Sequence, residues 1–505
     1  YRVAIKMKKP LQYAISVLAA ISVILPVLCC GVYAEENYNI STMRHGVDNN
    51  SFNNSASDFI EENEKSKYYM TAVELNRLTE GESEDTKRLI TSQVLSKFDG
   101  ACYGIAATMA LSFTGRLDLP KSNYASINLN EDAFFKKRIN YYQLAQYCEN
   151  KAPAVTKAVS DGKISEDSLK QIVEYAKSGT PFVLTFRTEN LTHTVVACGY
   201  EYDSNGTHRV RILDCNKKDA FMYFYVPAGY RSWRFENSPY ETDKISDLYF
   251  TTLDSFSQFS FKNETKTVYS AVSSSVTVDT VCANTASSFT LTNSEGKMLS
   301  FNNGKITGDI ETSDLKYIAN SNDTLSSKVV FTIEDSNEYT VINNSDDIDL
   351  TVVGDNGLFF TVQGKNIKKI VAEEGKTTIE GENMEYSVNA LSTEENVDMV
   401  NVCGATPERI SFSTKDGVTV SESANGKIHV SIVSYGQLYE TDLTINYGKC
   451  SIYYSDVVKT NVVSGKGSPV MMIIVLAFVA VIFVITLSYT IKKRKNKDGT
   501  AKKAG

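Results

Sequence analysis

The sequence predicts an α+β domain followed by an all-β region, with a membrane-related segment at either end. Three observations carry this reading. Between residues 67 and 253, helical spacing comes first and a run of strand patterns follows. From 256 to 465, short Val/Ile/Thr/Tyr/Phe runs alternate with turn signals. The longest apolar stretches lie near the two ends. At 505 residues the chain can hold two or three domains, each with a core of its own.

Residues 1–34 pass from Lys8-Lys9 through "LQYAISVLAAISVILPVLCC" to "GVYA". A basic start, an apolar stretch and small residues at Val32 and Ala34 predict a signal peptide, with Met7 as its start. Near the other end "VMMIIVLAFVAVIFVITLSYTI" (470–491) is uncharged. As a helix it would reach about 33 Å, enough to cross a hydrocarbon core of about 30 Å. The basic tail 492–505, opening "KKRKNK", then predicts a cytoplasmic C-terminus and an ectodomain outside the cell. The expected location is thus a cell membrane, with a single crossing.

Residues 35–66 are rich in Asn, Ser and Glu and read as a polar linker or pro-segment. In the 67–253 domain, "DSLKQIVEYAKSG" has apolar residues at 169, 172, 173 and 176, a helical spacing that stops at Gly179. "TPFVLTF", "HTVVACGYEY", "HRVRILD" and "DAFMYFYV" follow as strands. The 256–465 region carries Asn303-Gly304, Asp416-Gly417 and Asn425-Gly426 as turn signals. These predict one or two sandwich-like β domains, which would hold the first domain off the membrane or bind a surface ligand.

The net charge of −8 argues against nucleic acid as a partner. Zinc-type cysteine pairs, GxGxxG and Walker-type loops are missing from the sequence, so neither a metal nor a cofactor is expected. Seven cysteines remain after the signal peptide: 102, 148, 198, 215, 282, 403 and 450. An odd, widely spaced set does not describe a disulfide framework. It leaves a thiol to be explained by chemistry.

"FDGACYGIAATMALSFTG" (98–115) supplies the candidate. Cys102 opens an apolar helix, and a helix N-terminus favours a thiolate through its partial positive charge and unpaired N–H groups. The Cys102 backbone N–H could form half of an oxyanion hole. A thiolate also needs a base. His45 lies in the linker and His429 in the β region; His208 reads as a solvated turn residue, which leaves His193 at a strand start. The next strand ends in Asp214, with Asn216 two residues on. Adjacent antiparallel strands can bring such residues together. Cys198 and Cys215 read as core thiols, and Trp233 and the aromatic run 221–226 as packing.

"GACYGIA", "HTVVACGY" and "VRILDCN", in that order, resemble the papain-like cysteine peptidase superfamily, and within it the bacterial bacteriocin-processing type. The likeness spans about residues 70–250. It implies Cys102 as nucleophile, His193 as general base and acid, and Asp214 as the orienting group, with Asn216 second for that role. The family's oxyanion glutamine precedes the cysteine by six residues in that group, and here that position is Ser96. The nearest glutamine is Gln93, so Gln93 and Ser96 both stand as oxyanion candidates. The expected activity is hydrolysis of peptide or protein substrates. An acyl transferase or wall-peptide amidase on the same three residues is the alternative, and a surface adhesin without catalysis is a third reading.

Overall fold

Strand content dominates the computed structural model, with a few helices, and the strands form two curled sheets. The structure describes residues 43–60, 70, 72–95, 100–119, 121, 123–203, 205–256, 278–320, 327–354, 358–391, 399–406, 408–413, 418–422, 426–434, 437–445 and 448–453. The expected signal peptide at 1–34, the 470–491 segment and the basic tail fall outside these residues. Among the described residues no helix is long and apolar enough to cross a membrane.

The chain divides into two units. The first draws on 1–54, 102–132 and 153–258, the second on 55–101, 133–152 and 259–505. This differs from the sequence boundaries at 67 and 253. The helices Ala72–Thr79, Glu84–Leu95 and Ala133–Leu144 belong with the β region, not with the strands that follow them in sequence. For Ala133–Leu144 and the turn Ala145–Tyr147 after it, polar side chains explain it. Gln143 and Gln146 both donate to the Ala319 carbonyl (2.6 and 2.9 Å), and the Ala319 N–H returns a bond to Gln146 Oε1 (2.9 Å). Buried amides must be satisfied, and their partners lie on the β side.

Among the described residues of the first unit eight strands form one antiparallel sheet. They are β1 (Thr156–Ser160), β2 (Lys163–Ile164), β3 (Phe182–Arg187), β4 (Thr192–Tyr202), β5 (His208–Leu213), β6 (Met222–Val226), β7 (Arg234–Glu236) and β8 (Asp247–Thr251). The order across the sheet is β2-β1-β8-β3-β4-β5-β6-β7. The helix Glu166–Lys177 starts where the Ser165 hydroxyl accepts the Ser168 N–H (3.3 Å). Its 169/172/173/176 stripe is buried against a core that includes Leu184, Phe186, Val195 and Val210. The helix Cys102–Phe113 packs on β3 and β4, and every residue from Cys102 to Ser112 is buried. It is too apolar to be a surface helix.

Among the described residues the second unit carries sixteen strands in one connected antiparallel ladder over an apolar core. The expected sandwich-like modules thus share a sheet. Asn303 (φ 49°) and Gly304 (φ 72°) make the tight hairpin between strands Met298–Asn302 and Lys305–Gly308, where two successive left-handed residues match the strand twist.

Candidate active site

Register brings the site residues of the first unit together. His193 pairs with Phe186 across β3 and β4, while Val196 pairs with Leu213 across β4 and β5. Continuing the second ladder by one residue sets Asp214 opposite Val195. That is diagonal to His193, a spacing that long side chains bridge. His193 Nε2 donates to Asp214 Oδ1 at 2.8 Å, and both side chains are fully buried. Asp214 holds two further donors: the Asn216 N–H on Oδ1 (2.9 Å) and the Tyr240 hydroxyl on Oδ2 (2.9 Å).

The electrostatics follow from this geometry. Burial works to raise the Asp214 pKa, but the His193 charge and the three donors outweigh it, so the carboxyl stays below its ordinary range. Burial likewise works to lower His193. The Asp214 carboxylate and the Cys102 sulfur overcome that and raise the imidazole from 6.5 to about 10. With Nε2 committed to Asp214, Nδ1 is the nitrogen left for the thiol. It is enclosed without a hydrogen bond of regular geometry, while the Cys102 sulfur is near enough to favour the imidazolium. Cys102 is 0 % exposed, His193 0 % and Asp214 1 %, so the reacting groups are shut off from bulk water in this conformation.

Aromatic rings hold the imidazole. Tyr240 lies 5.3 Å from it and Phe186 5.7 Å, and those two rings pack on each other at 4.8 Å. Neither was evident in the sequence. Tyr240 sits 26 residues beyond Asp214 with no motif around it, and Phe186 reads only as one apolar position of a strand.

Other expected residues separate. The Asn216 side chain does not hold the imidazole; its Oδ1 accepts from Asn54 Nδ2 (3.0 Å), while its backbone N–H positions Asp214. Gln93 belongs to the second unit. There its Oε1 accepts from Lys328 Nζ (2.7 Å) and the Tyr147 hydroxyl (3.3 Å), so its amide is already engaged. Ser96 lies outside the described residues. His208 is 7 % exposed rather than solvated: the Tyr200 hydroxyl bonds its Nδ1 (2.8 Å), and its ring stacks on Tyr230 at 5.3 Å. Trp233 packs against Phe224 and Phe235 as expected.

Part of the supposed linker is built into the first unit. The His45 ring bonds the Lys218 carbonyl (2.7 Å), Asn50 Nδ2 donates to the Cys215 carbonyl (3.1 Å), and Lys218 Nζ reaches Asn53 Oδ1 (2.9 Å). Residues 45–54 therefore brace the 214–218 turn that carries the acid. His193, Asp214 and Cys215 also bring three donor atoms within 4.8 Å of one another. Since Nε2 and Oδ1 are already bonded to each other, that trio is better matched to holding a proton than to holding an ion.

No protein-family model, curated protein or solved structure matches this chain.

Proposed function

We propose that the first unit is a papain-like cysteine hydrolase that cleaves peptide bonds, exported and tethered to a membrane by the 470–491 segment. The observation that carries this is the His193 Nε2–Asp214 Oδ1 bond of 2.8 Å. It fixes the imidazole so that its other nitrogen is free for a thiol at a helix N-terminus.

In the reaction, Nδ1 takes the Cys102 proton as the sulfur attacks the scissile carbonyl carbon. The C–N bond breaks as Nδ1–H protonates the departing amine, leaving an acyl thioester. Water then attacks the thioester, giving its proton to Nδ1, and the acid leaves as the thiol is restored. The Cys102 backbone N–H is the donor suited to the oxyanion. Asp214 orients the ring and balances the imidazolium.

Iodoacetamide labelling tests the nucleophile. Burial pushes the Cys148 and Cys282 thiols up to about 12 and raises Cys198 as well, so all three should stay unlabelled at neutral pH. Cys102 should be labelled first, and Cys102→Ala should abolish cleavage of a peptide library. Equal labelling of all the thiols would remove the reading. The full burial of the site favours acyl transfer as a second reading, because excluding water leaves the thioester to an amine. Incorporation of a labelled amine in place of new N-termini would select it.

A further inference from the structure

The second unit encloses an amine and a carboxyl in contact. Lys328 Nζ lies 2.8 Å from Asp349 Oδ2 and 3.1 Å from Oδ1, and the lysine side chain is 0 % exposed. The two residues stand on strands Lys328–Glu334 and Asp347–Val353, which both pair with the strand Val278–Asn284 between them. Lys328 is opposite Asn284, and Leu350, the neighbour of Asp349, is opposite Ala283. The lysine arm therefore spans one intervening strand to reach the acid.

An amide group flanks each partner. Gln93 Oε1 accepts from Nζ (2.7 Å), which orients the amine. Gln363 Nε2 donates to Asp349 Oδ2 (3.2 Å), which draws electrons from the carboxyl. A nitrogen this close to both oxygens of one carboxyl is within about 3–3.5 Å of its carbon, a near-attack separation. Burial penalises both charges. Moving one proton from Nζ to the carboxylate yields a neutral amine facing a neutral acid, the pair that a condensation requires.

We propose that Lys328 and Asp349 condense into an intramolecular isopeptide bond. The Nζ lone pair attacks Asp349 Cγ, and a C–N bond forms. The C–O bond to the carboxyl hydroxyl breaks, and that hydroxyl leaves with an amine proton as water. Two neutral groups become one amide and one water molecule, with no oxidant, metal or outside donor. The product is a covalent strap between two strands across a third. This assignment is independent of the chemistry at Cys102.

Peptide mapping of the full chain tests it. After denaturation and trypsin digestion, the segments holding Lys328 and Asp349 should be recovered as one branched species, lighter than their sum by one water, with cleavage after Lys328 blocked. In Lys328→Arg the positive charge stays but the nucleophile is gone, and the two segments should separate. Asp349→Asn should still link, since an amide can lose ammonia where the acid loses water, and should give the same branched product as the unaltered chain. Recovery of the two segments unlinked from folded, unaltered protein would overturn the proposal. So would a branched species of unchanged mass in Lys328→Arg. If Lys328→Arg does not fold, the convergent mass of the Asp349→Asn product decides.

Discussion

Each unit buries a cation against an aspartate, and the two pairs differ in what is left over. In the first unit the cation is an imidazole. One nitrogen is spent on Asp214, and the other is enclosed without a regular hydrogen bond beside the Cys102 sulfur. In the second it is an ammonium whose bonds go to Gln93 and to both oxygens of Asp349. The first cluster is open toward a third group and suits chemistry on something that enters. In the second, amine and carboxyl face each other, which suits a reaction between its own members.

The contrast can be broken most sharply at the sulfur. Cys102→Ala should lower peptide cleavage by at least about 10³-fold. It removes one sulfur from a packed helix, so the cost in stability should stay near 1 kcal/mol. A rate within tenfold of the unaltered protein would deny the open cluster its chemistry. Next in size, Asp214→Ala strands a buried imidazole and should destabilise the first unit by about 3–5 kcal/mol, read by chemical denaturation.

The pH dependence sharpens the same point. The His193 pKa is raised on folding, so its contribution to stability is present below its ordinary 6.5 and is lost as pH rises through about 10. The Asp214 pKa is lowered, so its contribution is present above the ordinary carboxylate range and lost as pH falls below it. His193→Gln should therefore be less stable than the unaltered protein near neutral pH, and the gap in thermal midpoint should narrow as pH rises from 6.5 toward about 10. A gap that is constant with pH would mean that folding does not hold a proton on His193.

The smallest expected effect is at Tyr240→Phe. Losing one hydroxyl from Asp214 Oδ2 should cost about 1–2 kcal/mol. It should also move the acid limb of the cleavage profile upward, because the carboxylate loses a donor. A purely packing role for Tyr240 would leave that limb where it is.

Much of this was legible along the chain. The helix 166–177 shows in its apolar spacing and its stop at Gly179, and the strands of the first unit show as β-branched and aromatic runs. Cys102, His193 and Asp214 stood out because each opens or closes an element, and element ends are where a sheet presents groups to a helix. Tyr240 and Phe186 did not, since nothing near them marks an aromatic as a wall for an imidazole. Gln93 misled for the opposite reason. Its place shortly before the cysteine in sequence suggested an oxyanion donor, yet its amide is engaged by Lys328 and Tyr147.

By itself the sequence determined local matters: which segments are helix or strand, where the turns fall, and that one cysteine begins an apolar helix. Those follow from side-chain periodicity and backbone preference within a few residues. Only the tertiary structure decided the membership of the two units, the bracing of the Asp214 turn by residues 45–54, and the meeting of Lys328 with Asp349 across an intervening strand. Each depends on satisfying buried polar groups over long separations in the chain, and no local pattern encodes which distant partner will do so.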